Sequence, residues 1–181
     1  VEKQLGFIFN PELCIGCKAC EVACKSENDD NCTISRRKVI KHSFATYISI
    51  SCNHCQNPEC FRVCPENAFI KRTNGIVEID ANRCTSCMNC LDACPYHAPQ
   101  YDPITQKVVK CQMCSSRLES GLTAACVEAC PTTALTLSKS VNLHHHQYVR
   151  SIDGLPDYHF TQPSILFNQN NKSKKKHYFL N

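Results

Sequence analysis

The sequence predicts an α+β chain built from two small units of similar design, interleaved as a-b-a′-b′, with insertions between them and an irregular C-terminal tail. Three observations predict it. Cysteine supplies 17 of 181 residues, a share that marks a disulfide scaffold or a metal-organised chain, not an ordinary enzyme core. The cysteines fall into four groups of four, and the groups repeat. Short β segments, residues 5–9 and 76–79, lead into two of the groups. Hydrophobic residues reach 43%, but that figure includes the cysteines; without them about a third of the chain is apolar, thin for a self-sufficient core. Zero Trp, two Met and five Gly point the same way.

Compartment and metal follow from how the cysteines are used. Val1-Glu2-Lys3-Gln4 shows no signal-peptide pattern, and no run approaches 18 consecutive apolar residues, so neither a leader nor a transmembrane helix is expected. An odd number of cysteines without a secretion signal argues against an extracellular disulfide framework. Cys14, Cys17, Cys20 and Cys24 are spaced C-x2-C-x2-C-x3-C, and Cys84, Cys87, Cys90 and Cys94 repeat that spacing. Cys52, Cys55, Cys60 and Cys64 read C-x2-C-x4-C-x3-C; Cys111, Cys114, Cys126 and Cys130 read C-x2-C-x11-C-x3-C. The first pattern is the bacterial ferredoxin run for [4Fe–4S] clusters, whose fourth cysteine reaches the other cluster of a pair. Three cysteines at three-residue steps wrap three corners of a cubane, and the fourth corner takes a distant ligand. Zinc uses paired C-x2-C knuckles, which this spacing fits poorly. The two units are therefore expected to be bacterial-ferredoxin-like.

Each element has its own reason. A shift of 70 residues superposes Cys14–Cys24 on Cys84–Cys94, and Phe7-Ile8-Phe9-Asn10 on Val77-Glu78-Ile79-Asp80. A shift of 66 superposes Cys64-Pro65-Glu66-Asn67-Ala68-Phe69 on Cys130-Pro131-Thr132-Thr133-Ala134-Leu135. Such repetition signals two diverged copies of one cluster-binding half. Residues 17–27 and 87–94 read as short helices starting inside the ligand loops. Pro65, Pro95 and Pro131 follow the last cysteine of their groups and turn the chain; Lys25 stands there in the first. Residues 104–109 suit a strand, and 115–125 an insertion with a helical turn closed by Gly121. Residues 25–51 read as a linker carrying the basic knot Arg36-Arg37-Lys38. Beyond about residue 137 the composition shifts to His, Asn, Lys and Gln.

The motifs together resemble the four-cluster iron–sulfur subunits of the dimethyl-sulfoxide-reductase type of molybdopterin oxidoreductases. The resemblance covers roughly residues 5–138. It rests on Cys14-Ile-Gly-Cys17-Lys-Ala-Cys20-Glu-Val-Ala-Cys24-Lys25, Cys52-Asn-His-Cys55-Gln-Asn-Pro58-Glu-Cys60, Cys94-Pro-Tyr96-His-Ala-Pro99-Gln-Tyr-Asp, Lys110-Cys111-Gln-Met-Cys114 and Ala125-Cys126-Val-Glu-Ala-Cys130-Pro131. Gly154-Leu155-Pro156 and Pro163-Ser164-Ile165 extend it more weakly. It implies four [4Fe–4S] clusters on four cysteine sets: Cys14, Cys17, Cys20 and Cys130; Cys24, Cys111, Cys114 and Cys126; Cys52, Cys55, Cys60 and Cys94; Cys64, Cys84, Cys87 and Cys90. Some relatives replace the residue at Cys87 and hold a three-iron cluster; cysteine here implies four irons. Residues 1–30 and 105–138 would form the first ferredoxin-like unit and 48–104 the second. Residues 31–47 would be a linker insertion and 139–181 a wrapping tail.

The role implied is a wire: single electrons passing between a membrane quinone-reactive anchor and a molybdopterin-containing catalytic subunit in an anaerobic respiratory oxidoreductase. No nucleophile–base motif or phosphate loop suggests catalysis by the chain itself. It would sit peripherally on a membrane, cytoplasmic or exported with a partner. The alternatives are a four-cluster subunit of a hydrogenase or formate-type dehydrogenase, a free polyferredoxin, or a zinc-stabilised structural module. The formal net charge of +4 assumes neutral thiols. Four thiolate-bound cubanes at about −2 each bring the loaded chain near −4, so no nucleic-acid partner is implied. Lys18, Lys25, Lys107 and Lys110 neighbour ligands in sequence; solvated surface lysines are favoured over a tuning role. Cys32 reads as a spare thiol, His54 and His97 as packing or hydrogen-bonding groups, and Tyr96 as structural. His144-His145-His146 reads as a polar loop, and Lys172-Ser173-Lys174-Lys175-Lys176 as a solvated tail, with contact to anionic lipid as the alternative.

Overall fold

A computed structural model of the chain describes residues 4–30, 33–42, 46–139 and 148–168. Cys32, His144-His145-His146 and the lysine run at 172–176 lie outside the described residues. In chain order the elements are β1 (Gly6–Phe9), α1 (Ala19–Asn28), β2 (Arg37–Lys41), β3 (Tyr47–Ser51), α2 (Glu59–Arg62), β4 (Phe69–Lys71), β5 (Val77–Ile79) and α3 (Asn89–Ala93). Then come β6 (Gln100–Asp102), β7 (Lys107–Val109), α4 (Ser115–Glu119), α5 (Ala125–Glu128), β8 (Leu135–Ser138), β9 (Tyr148–Val149), α6 (Tyr158–Thr161) and β10 (Ile165–Asn168). Short strands and one- to three-turn helices make the α+β fold that the spacing predicts.

The largest sheet has the order β8-β1-β10-β9. β1 pairs antiparallel with β8, Phe9 opposite Leu135 and Phe7 opposite Leu137, and parallel with β10, Phe7 opposite Ile165 and Phe9 opposite Phe167. Phe7, Phe9, Leu135, Ile165 and Phe167 are buried together with Ile48, Met113 and the sulfurs of Cys20, Cys52, Cys94, Cys111 and Cys126. Phe9 and Phe167 meet edge to face at 6.4 Å. A smaller cluster gathers Phe69, Val77 and Val108 with Cys60, Cys84 and Cys90, under the two-stranded pairs β4–β5 and β6–β7.

Three expectations need correction. The C-terminal segment is not irregular throughout: Ile165-Leu166-Phe167 forms an interior strand of the main sheet, because its apolar run covers the free edge of β1. Residues 37–41 and 47–51 are not a mere linker but paired antiparallel strands, β2 on β3, with Val39 opposite Ser49 and Ile40 opposite Ile48. The basic knot there is divided by strand alternation: Arg37 turns inward and is buried while Lys38 is exposed. Arg36, just before the strand, pairs with Asp30 at 2.8 Å. The strand expected at 104–109 is confined to Lys107–Val109, hairpinned onto Gln100–Asp102. Among the described residues, no helix is long and apolar enough to cross a membrane.

Candidate metal centres

The two repeated ligand loops have the same backbone. Gly16 and Ser86, related by the 70-residue shift, have φ of 72° and 61°; Lys18 and Met88 have 61° and 64°. The 66-residue shift likewise relates Asn67 at 48° to Thr133 at 53°. Left-handed residues set between cysteines turn successive N–H groups toward one side, the anion-binding concavity used at many iron–sulfur sites. A Cβ at Gly16 would fall 2.7 Å from the Tyr47 ring, so the first loop needs glycine there. Ser86 has room, and its hydroxyl donates to the Gln106 carbonyl at 2.6 Å. Both loops then start a helix at an αL residue, Lys18 for α1 and Met88 for α3.

These loops and the returning strands gather the predicted cysteines into four sets. Cys14, Cys17, Cys20 and Cys130 line one cavity with Phe9, Val39 and Leu135. Burial pushes the Cys14 and Cys20 thiols up, and the Cys130 sulfur adds to both. Cys24 is raised by burial and by Cys111, Cys126 and Cys114. Cys114 is pushed up to about 11 by burial, with Cys111 and Cys126 adding. Cys52, Cys55, Cys60 and Cys94 line a second cavity with Tyr96, Lys110 and Thr161; burial, with Cys52 and Cys94, drives Cys55 to about 12. Cys90 is held at about 11 by burial, with Cys84, Cys87 and Cys64 contributing. The structure thus brings the sixteen predicted sulfurs into four neighbourhoods of four, among which Cys17 and Cys87 are exposed.

Donor chemistry and geometry fit anionic iron–sulfur clusters. At the thiols that burial raises, among them Cys20, Cys24, Cys55 and Cys90, a metal must compensate the burial for thiolates to form. Among the described residues, no three or more His, Cys, Asp or Glu side chains close tightly enough to hold one metal ion. Zinc needs its sulfurs about 2.3 Å from a single point, whereas a cubane spreads them over four iron corners. Backbone N–H groups already aim at sulfur: Ala68 at Cys64 and Met113 at Cys111, each at 3.4 Å. At Cys130 burial acts to raise the thiol, but N–H groups of Leu135, Thr132 and Ala134 and the Thr132 hydroxyl overcome it and lower it. Ala134 stands 66 residues after Ala68, so the repeat extends to the sulfur hydrogen bond.

Three buried N–H groups lack a protein acceptor: Arg37 Nε, Asn53 Nδ2 and His54 Nε2. His54 Nδ1 accepts from the Val77 N–H at 3.0 Å. Burial, reinforced by Lys110, holds this imidazole neutral, so its remaining proton sits on Nε2. Each such donor beside the cysteine sets would find an acceptor in cluster sulfur. His97 is exposed, and the Tyr96 hydroxyl accepts from Thr161 at 3.4 Å, in keeping with non-ligating roles.

Sequence reasoning missed two cations. Lys110 is not a solvated surface lysine: it is 0% exposed, its Nζ donating to the carbonyls of Val77 and Cys111. Lys107 is half-buried and donates to the Cys84 carbonyl at 2.7 Å; Lys18 is exposed and Lys25 half-buried. Arg37 is 1% exposed, donating to Ser49 Oγ at 3.0 Å and Ser51 Oγ at 2.8 Å, its guanidinium 4.5 Å over the Phe7 ring. The available signal was the alternation that puts Arg37 on the same face as Val39.

The 4Fe-4S dicluster domain family matches residues 43–140, and the 4Fe-4S binding domain family matches residues 7–27. The chain is 38% identical to the probable anaerobic dimethyl sulfoxide reductase chain YnfG of Escherichia coli, over 94% of this chain and 91% of that one. It is 38% identical to the B subunit of anaerobic dimethyl sulfoxide reductase from Haemophilus influenzae, over 93% and 90%. The B subunit of polysulfide reductase from Wolinella succinogenes is 40% identical over 74% of this chain and 75% of its own length. The chain belongs to the iron–sulfur electron-transfer subunits of the molybdopterin oxidoreductases. Like the other members of this family it carries multiple [4Fe–4S] clusters, and it serves as an electron-transfer component of an oxidoreductase. The buried, acceptor-less donors and the N–H groups trained on sulfur are the environment that such a subunit provides for its cofactors.

Proposed function

We propose that the chain relays single electrons through four [4Fe–4S] clusters between a membrane quinone-reactive anchor and a molybdopterin-containing catalytic subunit of an anaerobic respiratory oxidoreductase, with no catalytic site of its own. The ligand sets would be Cys14, Cys17, Cys20 and Cys130; Cys24, Cys111, Cys114 and Cys126; Cys52, Cys55, Cys60 and Cys94; and Cys64, Cys84, Cys87 and Cys90. Groups one and four would then form one ferredoxin-like unit and groups two and three the other. One observation carries the reading: the four sets form a series with exposed sulfur in its outer members. Arg37 acts on Cys20 of the first set and on Cys24 and Cys126 of the second. Cys52 of the third feels Cys111 of the second, and α2, carrying Cys60, packs on α3, carrying Cys90 of the fourth. Exposed Cys17 and Cys87 lie in the first and fourth sets, which suits electron entry at one end and exit at the other.

When bound, each cluster supplies one reversible electron. The protein's part is to hold the thiolates, direct N–H groups at sulfur and exclude water, since charge, hydrogen bonding and exposure set the potentials. The reading also supports a peripheral place in a membrane-associated complex, through partners of the chain. The test is anaerobic purification with iron, sulfide and zinc analysis. About 16 iron and 16 sulfide per chain are expected for four cubanes, with a molybdopterin-containing chain co-purifying. Zinc without sulfide would reject the relay. In Cys87→Ser, one cluster should become a three-iron form, giving a new paramagnetic signal in the oxidised protein; unchanged clusters would break the ligand assignment.

A further inference from the structure

The two fully buried cations are unusual in what they lack. Among the described residues neither Arg37 nor Lys110 pairs with a carboxylate. Arg37 gives its hydrogen bonds to the Ser49 and Ser51 hydroxyls and the Ser49 carbonyl, and its charge acts on the Cys126 sulfur. Lys110 gives its own to two carbonyls. A buried charge is strongly disfavoured unless an opposite charge faces it, and the negative groups that face these two are cysteine sulfurs. Arg37 is held charged against its burial by Cys126, Cys111, Cys20 and Cys24. Lys110 acts on Cys52 and Cys60 and shares a cavity with Cys52, Cys55, Cys60 and Cys94, while its ammonium caps the carbonyl of Cys111.

Each cation therefore stands at a junction between two sets, not inside one. The Arg37 guanidinium acts on the second set through the charge of Cys126, Cys111 and Cys24. It reaches the first through Ser49, whose Oγ accepts from Arg37 at 3.0 Å and lies 3.3 Å from Cys20 Sγ. With its lone pair engaged by Arg37, the Ser49 hydroxyl is free to donate its proton to that sulfur. We propose, resting on the relay reading above, that Arg37 and Lys110 are positioning residues for electron transfer: buried counter-charges shared by successive clusters, Arg37 by the first and second and Lys110 by the second and third. A positive charge favours the reduced, more negative state of a cluster and raises its potential. Shared between neighbours, it raises both, and the electron meets no deep trap on passing from one to the next. Arginine suits the first junction, since it stays protonated and its planar fork serves several acceptors at once.

The test is a dithionite titration of the intact complex, each cubane taking one electron, followed by paramagnetic resonance. Signals are assigned to sets by the three-iron signature of one Cys→Ser change per set. In Arg37→Gln, the reduced-to-oxidised ratio at fixed potential should fall at least tenfold for the first and second sets, about a 59 mV shift for one electron. The third and fourth should hold. Arg37→Lys should restore most of the shift. Lys110→Gln should lower the second and third and spare the first and fourth, so that only the second set moves in both variants. Potentials unmoved with full iron and sulfide, or the fourth set moving as far as the others, would overturn the proposal. If Arg37→Gln fails to hold iron, Ser49→Ala keeps the charge and cuts the link to Cys20. It should lower the first set alone, and no shift there overturns the Ser49 bridge and the sharing with it. Wild-type protein lacking sulfide, or with a different cysteine pairing, would instead sink the relay reading.

Discussion

The loops at Cys14–Cys24 and Cys84–Cys94 begin alike and end differently. Both place αL residues two apart, start a helix directly after the second of them, and bury the cysteine in its first turn, Cys20 or Cys90. In the first, Lys25 follows the fourth cysteine and α1 runs on for ten residues to Asn28. In the second, Pro95 follows, Cys94 is forced extended at ψ 112°, and α3 stops after five residues. A residue before proline is driven out of the α region, so one side chain decides the length. The longer helix gives the first loop what the second lacks. Glu21 accepts from the Val39 N–H of β2, Asn28 Nδ2 donates to the Cys24 carbonyl at 2.7 Å, and Glu27 pairs with Arg117 at 3.0 Å. The same loop backbone thus sits beside a larger side-chain core in one half and a smaller one, Ala68, Phe69, Val77 and Val108, in the other.

The sharpest break of that comparison is to remove the clusters. Three strands or a helical backing are needed before a sheet stands alone, and β4–β5 and β6–β7 are two-stranded. After chelation of iron, amides of residues 60–110 should lose essentially all hydrogen-exchange protection. The β8-β1-β10 sheet with Phe7, Phe9 and Phe167 should keep a fluctuating remnant. The chain as a whole should no longer melt cooperatively, because the metal–thiolate bonds stand in for part of the core. Cooperative unfolding of the iron-free chain near the temperature of the loaded one, or equal protection in the two halves, would refute the contrast.

Exchanging the punctuation of the two loops probes it more gently. Lys25→Pro removes a helical N–H and sets the ring against the preceding turn, a loss of about 3 kcal/mol, and should cut α1 back toward the length of α3. Pro95→Ala acts mainly through the unfolded chain and should cost about 0.4–1 kcal/mol. The urea midpoint at which visible cluster absorption is lost should fall far more for the first change than for the second. Similar falls would mean that the extra turns of α1 contribute nothing.

What could be read in advance follows from where the causes lie. The cluster type and the four cysteine groups were legible because a cubane fixes cysteine spacing within single loops, and the repeat was legible because both copies keep it. The helix starts and the proline stop are local and were read within a residue or two. Strand β10 was not, since four residues among His, Asn and Lys gain their meaning only from the edge of β1, at the far end of the sequence. Nor was Lys110, whose partners, the carbonyls of Val77 and Cys111 and the cavity lined by Cys52 and Cys60, lie on segments that meet only in the fold. Arg37 was half-legible: alternation turns it inward with Val39, but its counter-charge comes from sulfurs on α1 and α5.

The smallest effect concerns the seam between the β4–β5 pair and α4. Arg72, just beyond β4, pairs with Glu78 of β5 at 2.6 Å and with Glu119 of α4, so one guanidinium ties the β4–β5 pair both to itself and to α4. The two partners differ in exposure, Glu78 at 15% and Glu119 at 62%. Water and salt screen the outer pair, and exposed pairs contribute about 0–1 kcal/mol. Arg72→Ala should therefore cost about 1 kcal/mol or less. Double-mutant cycles in the urea midpoint should assign most of it to Glu78, and raised salt should erase the Glu119 share first. A larger coupling to Glu119 would mean that the seam is held from the α4 side, and that its two sides depend on each other more than their separate cores suggest.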